Sequence, residues 1–238
     1  MNTVAMFAIF IKMFKYWHIE QRQKSEIIKR KLTAELEVLK SQLHPHFLFN
    51  TLNNLYSLVH EKSDKASSML LRLSGLLSYV LYECKADEVP LGKEVDFIKD
   101  YVALEQERYG ERLEVSLNFA GDINACFVKP LLFQPFVENA FKHGTSEKLG
   151  KVWLSIDLSV KENQLSFKMV NSCEGNINLK NREGGIGIKN VQKRLELLYP
   201  SRFKLEYGNE DDLYIVSLLL QLNRVQERNL KIELQNKN

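Results

Sequence analysis

The chain has 238 residues, 26% of them charged and 45% hydrophobic, which is ordinary for a globular protein and enough for one or two modest domains with real cores. Its 33 Lys and Arg residues against 30 Asp and Glu leave a formal charge of +3 spread along the sequence, which excludes a strongly basic nucleic-acid surface, so no direct nucleic-acid partner is expected. The three cysteines, Cys84, Cys126 and Cys173, are far apart and lack zinc-ligand spacing, and so read as reduced thiols in a cytosolic setting.

Residues Val4 to Phe14 are apolar apart from Lys12, and Tyr16 and Trp17 precede a basic run with Arg22, Lys24, Lys29, Arg30 and Lys31. The run is shorter than the roughly 20 apolar residues that cross a bilayer, and it lacks the basic region that opens a signal peptide. It reads as the inner end of a membrane helix, with aromatic residues at the interface and positive charge beyond, which would put the rest of the chain on the cytoplasmic face of the membrane. A frayed amphipathic start to the next helix is the other reading. Residues 1–19 are therefore set apart as a partial membrane segment or juxtamembrane start.

From about Glu20 the pattern is helical through His60, broken only by Pro45. Leu32, Leu36, Leu39 and Leu43 repeat at spacings of four and three, the seam of a helix packed on another helix. Extending that seam leads to His46, Asn50, Asn53 and Ser57, which at roughly 100° per residue share one narrow face. Leu48, Phe49, Leu52, Leu55, Tyr56 and Val59 fall opposite. Pro45 stands where the face changes, and a kink is expected there. A lone histidine is more often a solvated residue than a reactive one. His44 lies about 200° from His46 on a helix, so the two cannot share a metal.

Glu61 to Asp64 reads as a short turn with an N-cap at Ser63 or Asp64. A second helix follows with Ala66, Met69, Leu70, Leu73, Leu76, Leu77, Val80 and Leu81 in heptad-like spacing. So short a turn makes the two helices antiparallel. Their two-sided apolar stripes predict a homodimer in which two hairpins build a four-helix bundle.

Beyond Val89-Pro90-Leu91, residues Gly92 to Tyr109 form an amphipathic helix that buries Val95, Ile98, Tyr101, Val102 and Leu104 and stops at Gly110. The period then changes to two: Leu113, Val115, Leu117 and Phe119 alternate with polar residues, and Ile123, Cys126 and Val128 make a poorer strand. Pro130 is expected to open a helix running to about His143. Strands Lys151 to Val160 and Gln164 to Val170 follow, then a loop to Gly184, a helix from about Ile188 to Tyr199, and a hairpin from Phe203 to Leu222 turning at Gly208-Asn209. The expected class is α+β, a helical hairpin followed by a two-layer α/β sandwich. The domains predicted are a hairpin over 20–88, a sandwich over 89–222 and a charged tail over 223–238.

Two stretches hold residues that could handle a nucleotide. On the helix after Pro130, Asn139 and His143 stand one turn apart with Gln134, Glu138 and Lys142 nearby, opposite Leu132, Phe133, Phe136 and Val137. Such a polar face is more often merely solvated. Gly184-Gly185-Ile186-Gly187 opens the later helix, where glycines admit an anion close to the backbone and a helix N-terminus offers free N–H groups. A short glycine cluster is by itself usually just a turn, and the strand–GxGxxG–helix unit of a dinucleotide fold is missing.

Three boxes together are specific. Leu43-His44-Pro45-His46-Phe47-Leu48-Phe49-Asn50 followed by Leu52-Asn53 resembles the phospho-acceptor box of the LytS/YehU-type sensor histidine kinases. Pro135-Phe136-Val137-Glu138-Asn139-Ala140-Phe141-Lys142-His143-Gly144 resembles the N-box of their GHKL ATP-binding domain, and Gly184 to Tyr199 resembles the region of their second glycine box. The resemblance covers about residues 30–222. It implies a kinase core that moves the γ-phosphoryl of Mg-ATP to His46 and then to an aspartate of a response regulator, one with a LytTR-type output. It further implies that Asn139 coordinates Mg²⁺, that Glu138, Lys142 and His143 lie near metal and phosphates, and that Gly185 and Gly187 flank the nucleotide.

One position departs from the pattern. Asn171 stands where these proteins carry an aspartate whose carboxylate accepts the adenine amino group, and Cys173 replaces the first glycine of that box. An amide oxygen still accepts a hydrogen bond, though without charge. Phe47 after His46 also leaves no adjacent acidic base. Asn171 motivates the alternative of a non-catalytic dimeric GHKL scaffold that docks a signalling partner. A GHKL ATPase of the chaperone or gyrase type is disfavoured, because those lack a helix-borne histidine box.

Overall fold

The computed structural model of this protein describes residues 12–17, 45–142, 151–173 and 186–222. Its chain divides into two compact units, Met1–Phe49 and Asn50–Asn238. In the first, residues 12–17 are helical with Met13, Phe14, Tyr16 and Trp17 exposed, and the Phe14 and Trp17 rings lie 6.0 Å apart. Among the described residues, no helix is long and apolar enough to cross a membrane. The leucine stripe from Leu32 to Leu43, the upstream arm of the kink expected at Pro45, and the tail over 223–238 lie outside the described residues.

Helix α1, Pro45–His60, spans the division between the units and begins on proline, whose missing N–H costs nothing in a first turn. In the second unit the turn after α1 closes with Ser63 N–H donating to Leu58 O at 2.9 Å. Helix α2, Lys65–Tyr82, starts with the Lys65 N–H on Ser63 Oγ at 3.3 Å, while Asp64 offers no side-chain cap. It buries Met69, Leu73, Leu76, Tyr79 and Val80, mostly at the expected heptad positions. Helix α3, Leu91–Tyr109, buries the expected Val95, Ile98, Tyr101, Val102 and Leu104, and also two carboxylates, Glu94 and Glu105. Gly110 ends it at φ 59°, a conformation glycine adopts without strain.

A mixed five-stranded sheet forms the rest of the core. Its strands are β2 (Leu113–Gly121), β4 (Val152–Lys161), β5 (Gln164–Ser172), β6 (Phe203–Glu210) and β7 (Leu213–Gln221), in spatial order β2-β4-β5-β7-β6. Only β2 and β4 run parallel, joined by a crossover that contains helix α4, Gln134–Ala140. A two-residue pair, β1 (Val89–Pro90) with β3 (Phe127–Val128), forms a second, smaller sheet.

Strand alternation puts Ile156 and Leu158 of β4, Leu165, Phe167 and Met169 of β5, and Val216 and Leu218 of β7 on one buried face. Phe133 and Phe136 pack at a tilt against Phe167 there, with ring centroids 4.8 and 5.7 Å away. On the same face Lys99 of α3 lies 5.4 Å from the Phe119 ring of β2. The class is therefore α+β, as expected.

Three local expectations are corrected. Ile123 belongs to a 3₁₀ turn, Ile123–Ala125, and only Phe127–Val128 is strand. The helix expected from Pro130 begins at Gln134, because Leu131 takes φ 55° and the backbone over 131–133 is used in other hydrogen bonds. The last hairpin turns at Asp211-Asp212, since pairing of Gly208 with Ile215 and Glu210 with Leu213 carries β6 through the expected turn. Asp211 supplies the left-handed residue at φ 51°, which aspartate tolerates better than most.

Candidate nucleotide and phospho-acceptor sites

His46 is the second residue of α1 and is exposed. Asn53 and Ser57 on its stripe are exposed too, and Asn50 is half-buried. The apolar side of α1 is unusual. Phe49, Leu52, Tyr56 and Val59 are 67%, 45%, 72% and 59% exposed, a stripe at spacings of three and four with its hydrophobic surface in water. On α2, Leu70, Leu71 and Tyr82 are likewise exposed.

The second unit positions the residues of the two other boxes. Helix α4 is anchored by Phe136, Val137 and Ala140, all buried, and holds Glu138 and Asn139 half-buried, with exposed Lys142 just beyond its end. Helix α5, Ile186–Leu198, begins in the glycine box and buries Ile188, Val191 and Leu195. The two helices meet at Asn139 and Gly187: a Cβ on Gly187 would lie 3.1 Å from Asn139 Oδ1 and 3.2 Å from its Nδ2. A side chain at Gly187 would make the amide give way by a few tenths of an ångström. His143 and Gly185 lie outside the described residues.

Asn171 ends up on the same sheet face as Phe167, four residues earlier in β5 and under α4. It is 2% exposed and its Nδ2 donates to Ser172 O at 3.1 Å, while its Oδ1 is buried with no donor among the described residues. A buried acceptor left unmatched costs stability unless something supplies an N–H. The exocyclic amine of adenine is such a donor. The close amide–glycine contact and the unmatched acceptor both fit an adenine nucleotide, and the oxygen-rich donor set of α4 suits Mg²⁺. Among the described residues, no group of three His, Cys, Asp or Glu side chains could hold a metal ion by itself. A cleft of about 730 Å³ lies elsewhere, between Lys85–Asp87, Pro130 and the Lys193 and Arg194 side of α5.

Sequence reasoning did not single out Glu94. Its carboxyl is 1% exposed, accepts the N–H groups of Leu131 at 2.6 Å and Leu132 at 2.9 Å, and accepts a short hydrogen bond from the Tyr79 hydroxyl. Burial pushes its pKa above the ordinary carboxylate range, and the bonds from Tyr79, Leu131, Leu132 and Phe133 oppose that shift. A signal was present: Leu91, Glu94, Ile98, Tyr101 and Glu105 follow one buried stripe at spacings of three and four, so two carboxylates stand where a helix core wants apolar side chains.

Residues 34–113 match the family model described as Histidine kinase. Sensor histidine kinase YpdA of Escherichia coli (strain K12) is 36% identical over 197 residues, covering 76% of this chain and 34% of the relative. Sensor histidine kinase/phosphatase LytS of Staphylococcus aureus is 32% identical over 203 residues, covering 79% of this chain and 34% of the relative. The histidine kinase domain of the Erythrobacter litoralis EL346 blue-light activated histidine kinase superposes with a TM-score of 0.45 at 16% identity, over 81% of this chain and 93% of that one.

A histidine at the head of α1, followed by a mixed sheet with an asparagine helix against a glycine-led helix, agrees with this likeness to the histidine kinases. Residues 34–113 carry the match to the histidine kinase family, and over about three quarters of its length the chain is similar to the LytS and YpdA sensor kinases. It spans about a third of the length of these curated relatives.

Proposed function

We propose that this chain is the kinase core of a sensor histidine kinase, which takes the γ-phosphoryl group of Mg-ATP onto His46 and passes it to an aspartate of a response regulator. The observation that carries the reading is the approach of Gly187 to Asn139, because it joins the N-box helix to the glycine box as one site. In this reading residues 20–88 are the dimerisation and phospho-acceptor hairpin, and residues 89–222 the GHKL-type ATP-binding domain.

Asn139 would offer its amide oxygen to Mg²⁺, with Glu138, Lys142 and His143 beside the metal and phosphates. Bound there, the ion would neutralise phosphate charge and make the γ-phosphorus easier to attack. Asn171 Oδ1 accepts the adenine amino group, and Gly185 and Gly187 keep side chains out of the space the nucleotide needs. A ring nitrogen of His46 attacks in line, the bond to the β,γ-bridging oxygen breaks, and the imidazole loses its other proton to water. Catalysis here is largely positioning and charge neutralisation, so the absence of an acidic neighbour at Phe47 is no obstacle.

The exposed stripe of Phe49, Leu52, Tyr56 and Val59 supports a homodimer, in which a second hairpin covers it to complete a four-helix bundle. Tethering through the N-terminal segment would hold the core at the cytoplasmic face of the membrane, and a regulator with LytTR-type output is the expected partner. The test is incubation of the purified chain with γ-labelled ATP and Mg²⁺, beside His46→Ala and Asn139→Ala. Acid-labile, base-stable label in the parent and none in either variant is expected. Label that persists in His46→Ala would refute the site, and nucleotide binding absent from the parent would turn the reading toward the scaffold.

A further inference from the structure

Four helices converge on one short loop. Lys129 to Phe133 leads straight into α4, and Phe136 and Val137 return their N–H groups to Phe133 O at 3.0 and 3.2 Å, so the loop sets where α4 starts. Glu94 of α3 grips Leu131 and Leu132 from one side. From another side the Tyr199 hydroxyl, just past the end of α5, accepts the Lys129 N–H at 2.7 Å, and Arg194 of α5 donates to Pro130 O at 2.8 Å. Leu131 holds φ 55°, a region a branched side chain rarely occupies, and it stays there because surrounding partners over-determine it.

The fourth helix is α2. Its Tyr79 is 5% exposed, packs its ring at a tilt on Phe97 with centroids 5.3 Å apart, and donates its hydroxyl hydrogen bond to the carboxyl that holds the loop. The hydroxyl thus links α2 to the loop through the one carboxyl of Glu94. The Tyr79 and Leu131 donors share one oxygen of that carboxyl and the Leu132 donor takes the other, so moving one donor changes the bonds the others can make.

We propose that Glu94 is a positioning residue, which with Tyr79 couples the setting of the hairpin helix α2 to the start of α4 and so to the place of Asn139. Rotation or tilt of α2 that withdraws the Tyr79 hydroxyl leaves Glu94 to redistribute over the Leu131 and Leu132 amides, and α4 shifts or loosens in response. The functional meaning of the coupling rests on α4 being the nucleotide helix; the coupling itself does not.

Amide hydrogen exchange on the full chain tests it, comparing the parent with Tyr79→Phe and Glu94→Gln. Tyr79→Phe keeps the ring and its packing on Phe97, so the fold survives. Exchange at residues 131–140 should quicken on the order of tenfold in Tyr79→Phe, as expected for the loss of one hydrogen bond, with strands β4 and β5 unchanged. Glu94→Gln should quicken the Leu131 and Leu132 amides further. Exchange over 131–140 that stays at the parent rate, or that rises equally in the sheet, would overturn the coupling and leave Glu94 as a structural carboxylate. ATP binding followed in the same samples should weaken several-fold in Tyr79→Phe, although residue 79 is in α2. A parent that binds no ATP would sink the kinase reading alone, since the exchange result still decides the link.

Discussion

Asn139 and Gly187 stand so close that a methyl group on the glycine would press on the asparagine amide from 3.1 Å. Gly187 is exposed, and its φ lies outside the left-handed region, so alanine fits the backbone there. The cost of Gly187→Ala falls on the site rather than the fold. ATP affinity by calorimetry should drop about fivefold, near 1 kcal/mol, and more in Gly187→Val, with the melting temperature held. Unchanged affinity in the valine variant would show that nothing binds between the two helices.

Asn171 is the test of adenine recognition. Replacing it by leucine removes the unmatched Oδ1 acceptor and relieves the buried amide of its desolvation cost. The folded state should be no less stable, while ATP binding weakens on the order of tenfold. Guanine carries a carbonyl where adenine carries the amine, so the parent should prefer ATP to GTP and Asn171→Leu should lose the preference. Retained preference would place the base elsewhere.

The apolar stripe on α1 bears on assembly. Leu52→Asp or Tyr56→Asp puts a charge in the face that a second hairpin would cover, and a buried unpaired charge is costly. Sedimentation should find the parent as a dimer and either variant as a monomer that still binds ATP, because both residues lie outside the sheet that carries the site. Dimers that survive both substitutions would rule out this face.

Glu105 predicts a pH dependence. It is 3% exposed, its partner Arg108 stands 2.7 Å away, and burial outweighs that cation to push its pKa from 4.5 up to about 7. Because the folded state holds the proton more tightly, the contribution to stability is full below pH 4.5 and is lost as pH rises through about 7. The difference across that window is on the order of 3 kcal/mol. Thermal melts from pH 4.5 to 7.5 should show the parent losing more stability than Glu105→Gln, and parallel curves would mean that Arg108 keeps the carboxylate ionised throughout.

Much of this protein was legible in one dimension. Helices α1, α2 and α3 were set by apolar spacing of three and four, and β2, β4 and β5 by alternation, because both periods follow from backbone geometry alone. The His46, Asn139 and Gly187 boxes could be read as strings. The turn of the last hairpin could not, because Gly208-Asn209 is the better local signal and the pairing of β6 with β7 overrides it. The helix at Pro130 failed for a related reason: the backbone over 131–133 had a better partner in Glu94, 37 residues earlier for Leu131.

The sequence by itself determined the class and the order of the main elements, since those depend on local periodicity and on residue type. Only the tertiary structure decided that Gly187 meets Asn139, that Asn171 is left with an unmatched acceptor, and that Glu94 ties α2 to the head of α4. The first and the last are contacts between segments far apart in the chain, and the second follows from burial under such segments. Each is fixed by how helices pack on a sheet, a competition among distant partners that no single stretch of sequence contains.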